Sequence, residues 1–202
     1  MGIDIKHTQL FSVPIYEADI PNFSKYQEDL VKIITDLRHN NKGVNVSNSG
    51  GWHSENNLHN LENSSIKWLI QQICTIANQS IRHSNTMPNS NMKIILSSCW
   101  ANVNEAGNWN TPHAHFPEDW SGVCYIKINE NDSSNSNNNN DGNIIFFNPL
   151  TLGPQYKRFP TVSYHPQNGK IMLFPSYLVH MVTPHFDKDS RISLAFNFKF
   201  KI

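Results

Sequence analysis

The second half of the chain is a succession of short apolar, β-rich segments separated by turn-forming residues. From Lys93 onward, Gly, Pro, Asn and Asp punctuate these segments, and no helical periodicity lies between them. The predicted strands cover residues 94–103, 121–128, 143–147, 161–164, 170–174 and 191–200. Six strands at this spacing predict an antiparallel barrel or jelly roll over about residues 93–202.

The last predicted strand shows the clearest alternation. Since successive side chains of a strand point to opposite faces, its two sets of residues are separated. One set is Ile192, Leu194, Phe196, Phe198 and Phe200, and the other is Arg191, Ser193, Ala195 and Asn197. We expect the apolar set in the core, and the set with Arg191 at the mouth of a cavity that holds an anion.

The first half of the chain predicts two helices and one edge strand. A capping box at residues 24–27 begins a helix over about 24–38, and a second helix covers about 64–82 with Asn63 or Ser64 as its N-cap. Residues 10–16 alternate loosely around Pro14, which predicts an edge strand. The fold class is therefore mainly β, with a helical part over about residues 20–85 that buttresses one outer face of the barrel.

Length and composition restrict the class of protein. A chain of 202 residues suits one domain, 1–202. The 16 basic and 16 acidic residues balance, without a Lys/Arg cluster, so we expect no nucleic-acid partner. No apolar run reaches the roughly 18 residues of a membrane span, and the N-terminus has no signal-peptide core. Three unpaired cysteines suit a reducing, cytoplasmic location. The Asn-rich segment 131–142 predicts a mobile loop.

Three histidines are candidate metal ligands. His113 and His115 are two residues apart, so in an extended segment their side chains point to the same side. His180 follows the apolar segment 171–175, and Arg191, on the next strand, is expected beside it in an antiparallel pair. Because neutral imidazole binds Fe(II), Zn(II), Cu and Ni alike, the histidines predict a metal site without selecting the metal.

These residues carry a family resemblance. His113-x-His115, His180 and Arg191-Ile192-Ser193 resemble the motifs of the non-haem iron, 2-oxoglutarate-dependent dioxygenases. The segments 49–54, 110–115, 174–180 and 191–197 are similar, more closely, to 2-oxoglutarate/Fe(II) oxygenases of bacteria and marine phages. The resemblance implies a double-stranded β-helix (a jelly-roll or cupin-like barrel), with Fe(II) and 2-oxoglutarate as cofactor and co-substrate. The implied reaction couples decarboxylation of 2-oxoglutarate to hydroxylation of a substrate.

The resemblance also implies roles for particular residues. His113, His115 and His180 would bind the metal, while Arg191, Ser193 and Tyr125 would bind 2-oxoglutarate. The pocket would be lined by Trp100, Asn102 and Asn110. In the family pattern an Asp or Glu stands where this chain has His115, so a nearby carboxylate, Glu118 or Asp119, is the alternative third ligand.

Three other functions are compatible with a histidine cluster in a β-barrel. They are a cupin-like metal-binding module, a zinc enzyme with three histidines and an activated water, and a structural jelly roll with incidental histidines. Arg191 and Ser193 favour the oxygenase, because that pair suits a dicarboxylate. We expect a small-molecule or peptide substrate of unknown identity and no membrane partner. A homodimer is compatible with the sequence.

Overall fold

Two antiparallel sheets face each other, and two helices cover the outer face of one of them. This computed structural model describes residues 12–83, 91–129, 141–150 and 160–201. The helices are α1 (Gln27–Asn40) and α2 (Ser64–His83). The strands are β1 (Tyr16–Asp19), β2 (Asn48–Ser49), β3 (Trp52–His53), β4 (Lys93–Asn104), β5 (Trp109–His113), β6 (Trp120–Lys127), β7 (Ile144–Phe147), β8 (Thr161–Tyr164), β9 (Lys170–Pro175), β10 (His180–Val182) and β11 (Arg191–Lys201).

The strand order separates a major and a minor sheet. The major sheet has the order β1-β9-β6-β11-β4-β3, and the minor sheet has the order β2-β5-β10-β7-β8. All six predicted strands form, as β4, β6, β7, β8, β9 and β11. The sequence did not predict β5 and β10. β10 has three residues, and β5 has the polar, proline-containing sequence WNTPH, so neither gives a recognisable apolar alternation.

The major sheet is buried on both faces. On the face toward the helices, Ile192, Leu194, Phe196 and Phe198 of β11 join one apolar cluster, as the alternation predicted. On the face toward the minor sheet, Val123, Tyr125, Met172 and Phe174 pack with residues of β7 in a second cluster. Arg191 and Ser193 lie on this inner face, at positions only 3% and 2% exposed.

The two helices begin differently from each other. Asn63 caps α2 as predicted: its Oδ1 accepts hydrogen bonds from the backbone N–H groups of Ser65 (2.9 Å) and Ile66 (3.2 Å). The capping box predicted at residues 24–27 is wrong, because residues 23–25 form a single 3₁₀ turn and α1 starts at Gln27. Burial of the Phe23 side chain in the core accompanies this turn, and the N-cap residue of α1 is Tyr26, which makes no side-chain cap hydrogen bond.

The remaining predictions about the first half and the cysteines have mixed outcomes. β1 lies at an edge of the major sheet as expected, but at Tyr16–Asp19, while residues 10 and 11 lie outside the described residues. Most of the Asn-rich segment, 131–140, also lies outside them. The three cysteines are free, and Cys99 and Cys124 are buried. Neither described helix is long and apolar enough to cross a membrane.

Gly122 of β6 should be essential for packing of the major sheet. A Cβ atom there would lie 2.4 Å from the ring of Phe196 and 2.5 Å from the carbonyl oxygen of Met172. We expect Gly122→Ala to lower the free energy of unfolding by roughly 1–3 kcal/mol, measured by urea denaturation. Gly107→Asn is the control, since a Cβ at Gly107 meets nothing within 4 Å and asparagine tolerates positive φ. Equal stability of the two variants would contradict this packing role.

Candidate metal centre

Three histidine side chains meet between the two sheets. His113 ends β5 and His180 begins β10, and the two residues are direct cross-strand partners. Cross-strand partners present their side chains to the same face of a sheet. With His115 they form a cluster in which one nitrogen of each ring lies within 4.8 Å of the others. The ring centroids are 4.5–5.1 Å apart, so the three rings can share one metal ion.

His115 reaches this cluster by a route that strand periodicity does not describe. β5 ends at His113, so His115 lies in the loop beyond the strand. Its backbone N–H donates a hydrogen bond of 2.9 Å to the carbonyl oxygen of Ser176, in the turn between β9 and β10. The same-side argument was therefore wrong about the local structure, although the structure brings His113 and His115 together.

Backbone carbonyl groups orient two of the three rings. The Nδ1–H of His113 donates to the carbonyl oxygen of Thr111 at 2.6 Å, and that of His180 donates to the carbonyl oxygen of Leu178 at 2.9 Å. A neutral imidazole carries one ring proton, so Nε2 of each ring keeps its lone pair. Such hydrogen bonds fix the tautomer and the direction of metal-binding histidines.

Burial keeps the three rings neutral. Desolvation, followed by the proximity of the other histidines, lowers the pKa of His115 to about 4 and that of His180 to about 3. Desolvation also lowers the pKa of His113, partly opposed by its hydrogen bond to Thr111. Because metal binding requires deprotonated imidazole, the rings are ready ligands at neutral pH.

The two carboxylates considered as alternative ligands are engaged elsewhere. Glu118 accepts a hydrogen bond of 2.6 Å from Ser97 and pairs with Lys199 at 3.3 Å. Asp119 accepts a hydrogen bond of 2.7 Å from the backbone N–H of Phe200. Within the described residues, the metal-binding group at this site consists of histidines alone.

Arg191 lies on the opposite wall of the same cavity. Its guanidinium donates to Ser193 Oγ at 3.1 Å and lies 5.3 Å from the centre of the Tyr125 ring. Its Nε is buried without a hydrogen-bond partner, and no described carboxylate forms an ion pair with it. The expected pairing of Arg191 with His180 in one sheet is wrong. β11 pairs with β4 and β6 of the major sheet, whereas β10 belongs to the minor sheet.

The other predicted site residues also line this cavity. They are Ser193, Tyr125, Trp100, Asn102 and Asn110. Tyr125 is fully buried, with its hydroxyl 3.7 Å from the sulfur of Met172, and burial raises its pKa to about 12. Asn110 contacts Asn104 and Ser47 at 3.4 Å through its amide group. Asn102 Oδ1 is buried and has no partner.

His53 is a site residue that the sequence did not single out as a candidate. It is 3% exposed, and its ring stacks on Trp100 with the centroids 5.4 Å apart. Trp100 in turn lies 5.6 Å from His115. The available signal was its place directly after Gly50-Gly51-Trp52, in one of the segments that carry the family resemblance. Desolvation lowers the pKa of His53 as well.

A larger cavity lies apart from the histidines. Its volume is about 460 Å³, and its lining includes Leu37, Trp52 and Leu58 but none of the predicted site residues. The histidines and Arg191 line the narrower cavity between the two sheets, whose volume is about 50 Å³.

Residues 98–197 match the family described as "Putative 2OG-Fe(II) oxygenase". This segment contains the three clustered histidines and Arg191. The chain belongs to the 2OG-Fe(II) oxygenase family. Its cofactor and co-substrate are accordingly Fe(II) and 2-oxoglutarate, and the chain is an oxidoreductase. No curated protein matches the chain.

Solved structures of other oxygenases share the fold of this oxygenase. The prolyl-4-hydroxylase of Pseudomonas putida superposes with a TM-score of 0.65 at 12% identity, over 94% of each chain. A Trichoplax adhaerens prolyl hydroxylase, in complex with a hypoxia inducible factor peptide fragment, gives 0.62 at 13% identity, over 92% of this chain and 83% of that one. The epimerase SnoN, in complex with Fe³⁺, alpha ketoglutarate and nogalamycin RO, gives 0.66 at 12% identity, over 92% and 78%. The predicted double-stranded β-helix is confirmed.

Acid should destabilise the metal-free oxygenase through its neutral histidines. In the unfolded chain, both histidines bind a proton once the pH falls below their ordinary pKa of about 6.5. In the folded protein, His115 binds its proton only near pH 4 and His180 only near pH 3. The stabilising contribution is therefore complete above pH 6.5 and is lost as the pH falls. Each excluded proton adds about 1.4 kcal/mol per pH unit to the slope of unfolding free energy against pH.

Chemical denaturation at a series of pH values measures this slope. We expect His115→Gln to reduce the slope of unfolding free energy against pH between about pH 6 and 4.5, because the variant has one proton-excluding histidine fewer. His39→Gln, at an exposed position of α1, is the control. An unchanged slope in His115→Gln would show that His115 does not exclude a proton in the folded state.

Proposed function

We propose that His113, His115 and His180 hold the Fe(II) of this oxygenase, and that Arg191 and Ser193 bind the distal carboxylate of 2-oxoglutarate. The observation that carries this proposal is a buried guanidinium without an ion pair, in the same cavity as three neutral imidazoles. A buried charge without a partner is costly, so a site of this kind favours an anionic ligand.

The arrangement of the donors suits a dicarboxylate co-substrate. The planar guanidinium of Arg191 presents several N–H groups to one carboxylate, and the Ser193 hydroxyl adds a further donor. The imidazole cluster lines the same cavity, where it can hold the metal that binds the opposite end of 2-oxoglutarate. A cupin-like binder or a three-histidine zinc enzyme gives no reason for the buried guanidinium.

The surrounding residues position these groups and limit the access of water. The Tyr125 ring lies beside the guanidinium, and Val123, Ile144 and Phe174 form an apolar part of the wall. When bound, Fe(II) and 2-oxoglutarate supply the oxidative decarboxylation that is coupled to hydroxylation of the substrate. The contribution of the chain is to fix the ligands, orient the co-substrate and exclude solvent.

The third imidazole changes the charge of the site. A carboxylate at position 115 would cancel one unit of the metal charge, whereas neutral His115 leaves the full 2+. The 2-oxoglutarate dianion then balances the metal, and Arg191 leaves one net positive charge in the cavity. We propose that this charge favours binding of the dianion and shifts the redox potential of the metal.

The substrate is proposed to be a small molecule or a peptide. The Trichoplax prolyl hydroxylase holds a peptide fragment and SnoN holds nogalamycin RO, so this fold accepts both classes. The narrow cavity leaves room for the reacting group, and the rest of the substrate would lie outside its mouth. A bacterial or phage origin, a cytoplasmic location and a homodimer stay predictions from the sequence.

Replacing Arg191 should separate co-substrate binding from metal binding. We expect Arg191→Leu to weaken 2-oxoglutarate binding at least about 100-fold, because the buried carboxylate loses its charged partner. Binding of Ni²⁺ should stay within about threefold of wild type, since the guanidinium does not contact the metal ligands. Calorimetric titration of 2-oxoglutarate into the Ni²⁺-loaded protein measures the effect. The control is Arg82→Leu, at an exposed position, and unchanged affinity in Arg191→Leu would refute the role.

Three substitutions should identify the third metal ligand. We expect His115→Ala to weaken Fe(II) binding at least about 100-fold, while His115→Asp, which keeps a ligand at this position, restores most of it. Glu118→Gln should leave Fe(II) affinity unchanged, because Glu118 pairs with Lys199. Anaerobic competition with a chromophoric chelator measures all three. If Glu118→Gln weakens binding as much as His115→Ala, the three-histidine assignment is wrong.

A further inference from the structure

Asn102 lines the active-site cavity and carries a buried, unpartnered hydrogen-bond acceptor. The residue is 7% exposed, lines the cavity, and its Oδ1 has no hydrogen-bond partner. Leaving a buried acceptor unpaired costs folding free energy, and most buried polar groups are paired. An orphaned acceptor inside an active-site cavity therefore points to a ligand that supplies the missing donor.

His53 places a second acceptor next to Asn102. The two residues are cross-strand partners in β3 and β4, so their side chains lie on the same face of the major sheet. The Nδ1–H of His53 donates to the carbonyl oxygen of Ser54 at 2.6 Å, which leaves Nε2 of the neutral ring as an acceptor. The His53 ring stacks on Trp100, whose ring lies 5.6 Å from that of His115, and Asn102 lines the cavity together with the three histidines. Both side chains therefore lie near the metal-binding cluster.

The co-substrate has no donor to offer these two groups. Ionised 2-oxoglutarate carries two carboxylates and a keto group, and all of their oxygens are acceptors. Its natural partners are the donors of Arg191 and Ser193, and Ser193 is the other cross-strand neighbour of Asn102. A donor for Asn102 Oδ1 must therefore come from another molecule, and the primary substrate is the other reactant that has to reach this cavity.

The charges of the cavity select the kind of donor. No aspartate or glutamate is among the described residues that line it, whereas Arg191 is. With 2-oxoglutarate bound, the dianion balances the metal and Arg191 leaves one net positive charge in the cavity, so a cationic donor is disfavoured. A hydroxyl or an amide N–H can pair with either acceptor without adding charge.

We propose that Asn102 and His53 form a specificity subsite that binds a neutral hydrogen-bond donor of the primary substrate, a hydroxyl or an amide N–H, beside the metal. This subsite rests on the proposed function, because it assumes that Arg191 and the three histidines hold the co-substrate and the metal. Asn102 and His53 would thus decide which substrates place a carbon atom in reach of oxidation.

Paired probes, in which one member has its hydrogen-bond donors replaced by methyl groups, test the proposal. N-methylacetamide and N,N-dimethylacetamide, and ethylene glycol and its dimethyl ether, are titrated into the full chain loaded with Zn²⁺ and 2-oxoglutarate. Binding is followed by NMR at the side-chain amide of Asn102 and the indole of Trp100. We expect each donor-bearing probe to bind about tenfold more tightly than its methylated partner, and N-methylacetamide to bind more tightly than methylammonium. Three results would overturn the proposal: equal affinities of the donor-bearing and the methylated probe, no binding of any of the four probes, or tighter binding of methylammonium than of N-methylacetamide.

Variants separate the subsite from the co-substrate site. Asn102→Leu should abolish the preference for donor-bearing probes, while Asn102→Asp, which keeps an acceptor, retains it. Val162→Thr, on the exposed strand β8, is the control. Calorimetry gives the 2-oxoglutarate affinity of each protein separately. Failure of the wild-type protein to bind 2-oxoglutarate would contradict the proposed function, whereas normal 2-oxoglutarate binding without a donor preference would contradict the subsite alone. If Asn102→Leu does not fold, the affinities of the paired probes for the wild-type protein and for Asn102→Asp still test the proposal.

Discussion

One guanidinium and three imidazoles share the space between the two sheets, and none of the described carboxylates forms an ion pair with the guanidinium. The rest of the structure makes this arrangement possible. Burying such groups is unfavourable unless a ligand pairs with them, so a stable scaffold must hold them in place. The major sheet supplies it: one face packs against α1 and α2, and the other carries Arg191, Ser193 and Asn102. The minor sheet brings His113 and His180 to the facing wall.

The same arrangement explains why the site can act on a dianion and a metal together. Neutral rings, kept so by desolvation, present lone pairs to the cavity, and a permanently charged guanidinium lines it from the major sheet. The absence of a carboxylate among the described metal-binding side chains makes the site more positive than the usual pattern of two histidines and one carboxylate. We propose that the affinity of the site for anions and the redox potential of the metal both depend on that difference.

The sequence predicted the parts of the fold that have strong local signals. The alternation of β11 placed Arg191 and Ser193 on one face of the strand and Ile192 and Leu194 on the other. This works even for a strand buried on both faces, because successive side chains always point to opposite faces. The prediction of Asn63 as the N-cap of α2 also rested on a local sequence pattern. The capping box at residues 24–27 failed because burial of Phe23 accompanies a 3₁₀ turn there.

Other features depend on contacts that no local pattern contains. His115 reaches the cluster through a hydrogen bond to Ser176, 61 residues further along the chain. The strand that carries Arg191 lies in a different sheet from the strand that carries His180, and only the overall topology determines this. His53 lies in a two-residue strand, which is too short to be predicted from the sequence. The register of this strand places His53 opposite Asn102, and the proposed subsite rests on that pairing.

Anomalous diffraction from crystals grown without oxygen, with Fe(II) and 2-oxoglutarate, tests the central claim most directly. The account predicts one iron peak within bonding distance of the imidazoles of His113, His115 and His180, and the distal carboxylate of 2-oxoglutarate against the guanidinium of Arg191. Iron bound to Glu118 or Asp119, or a co-substrate carboxylate bound away from Arg191, would contradict it.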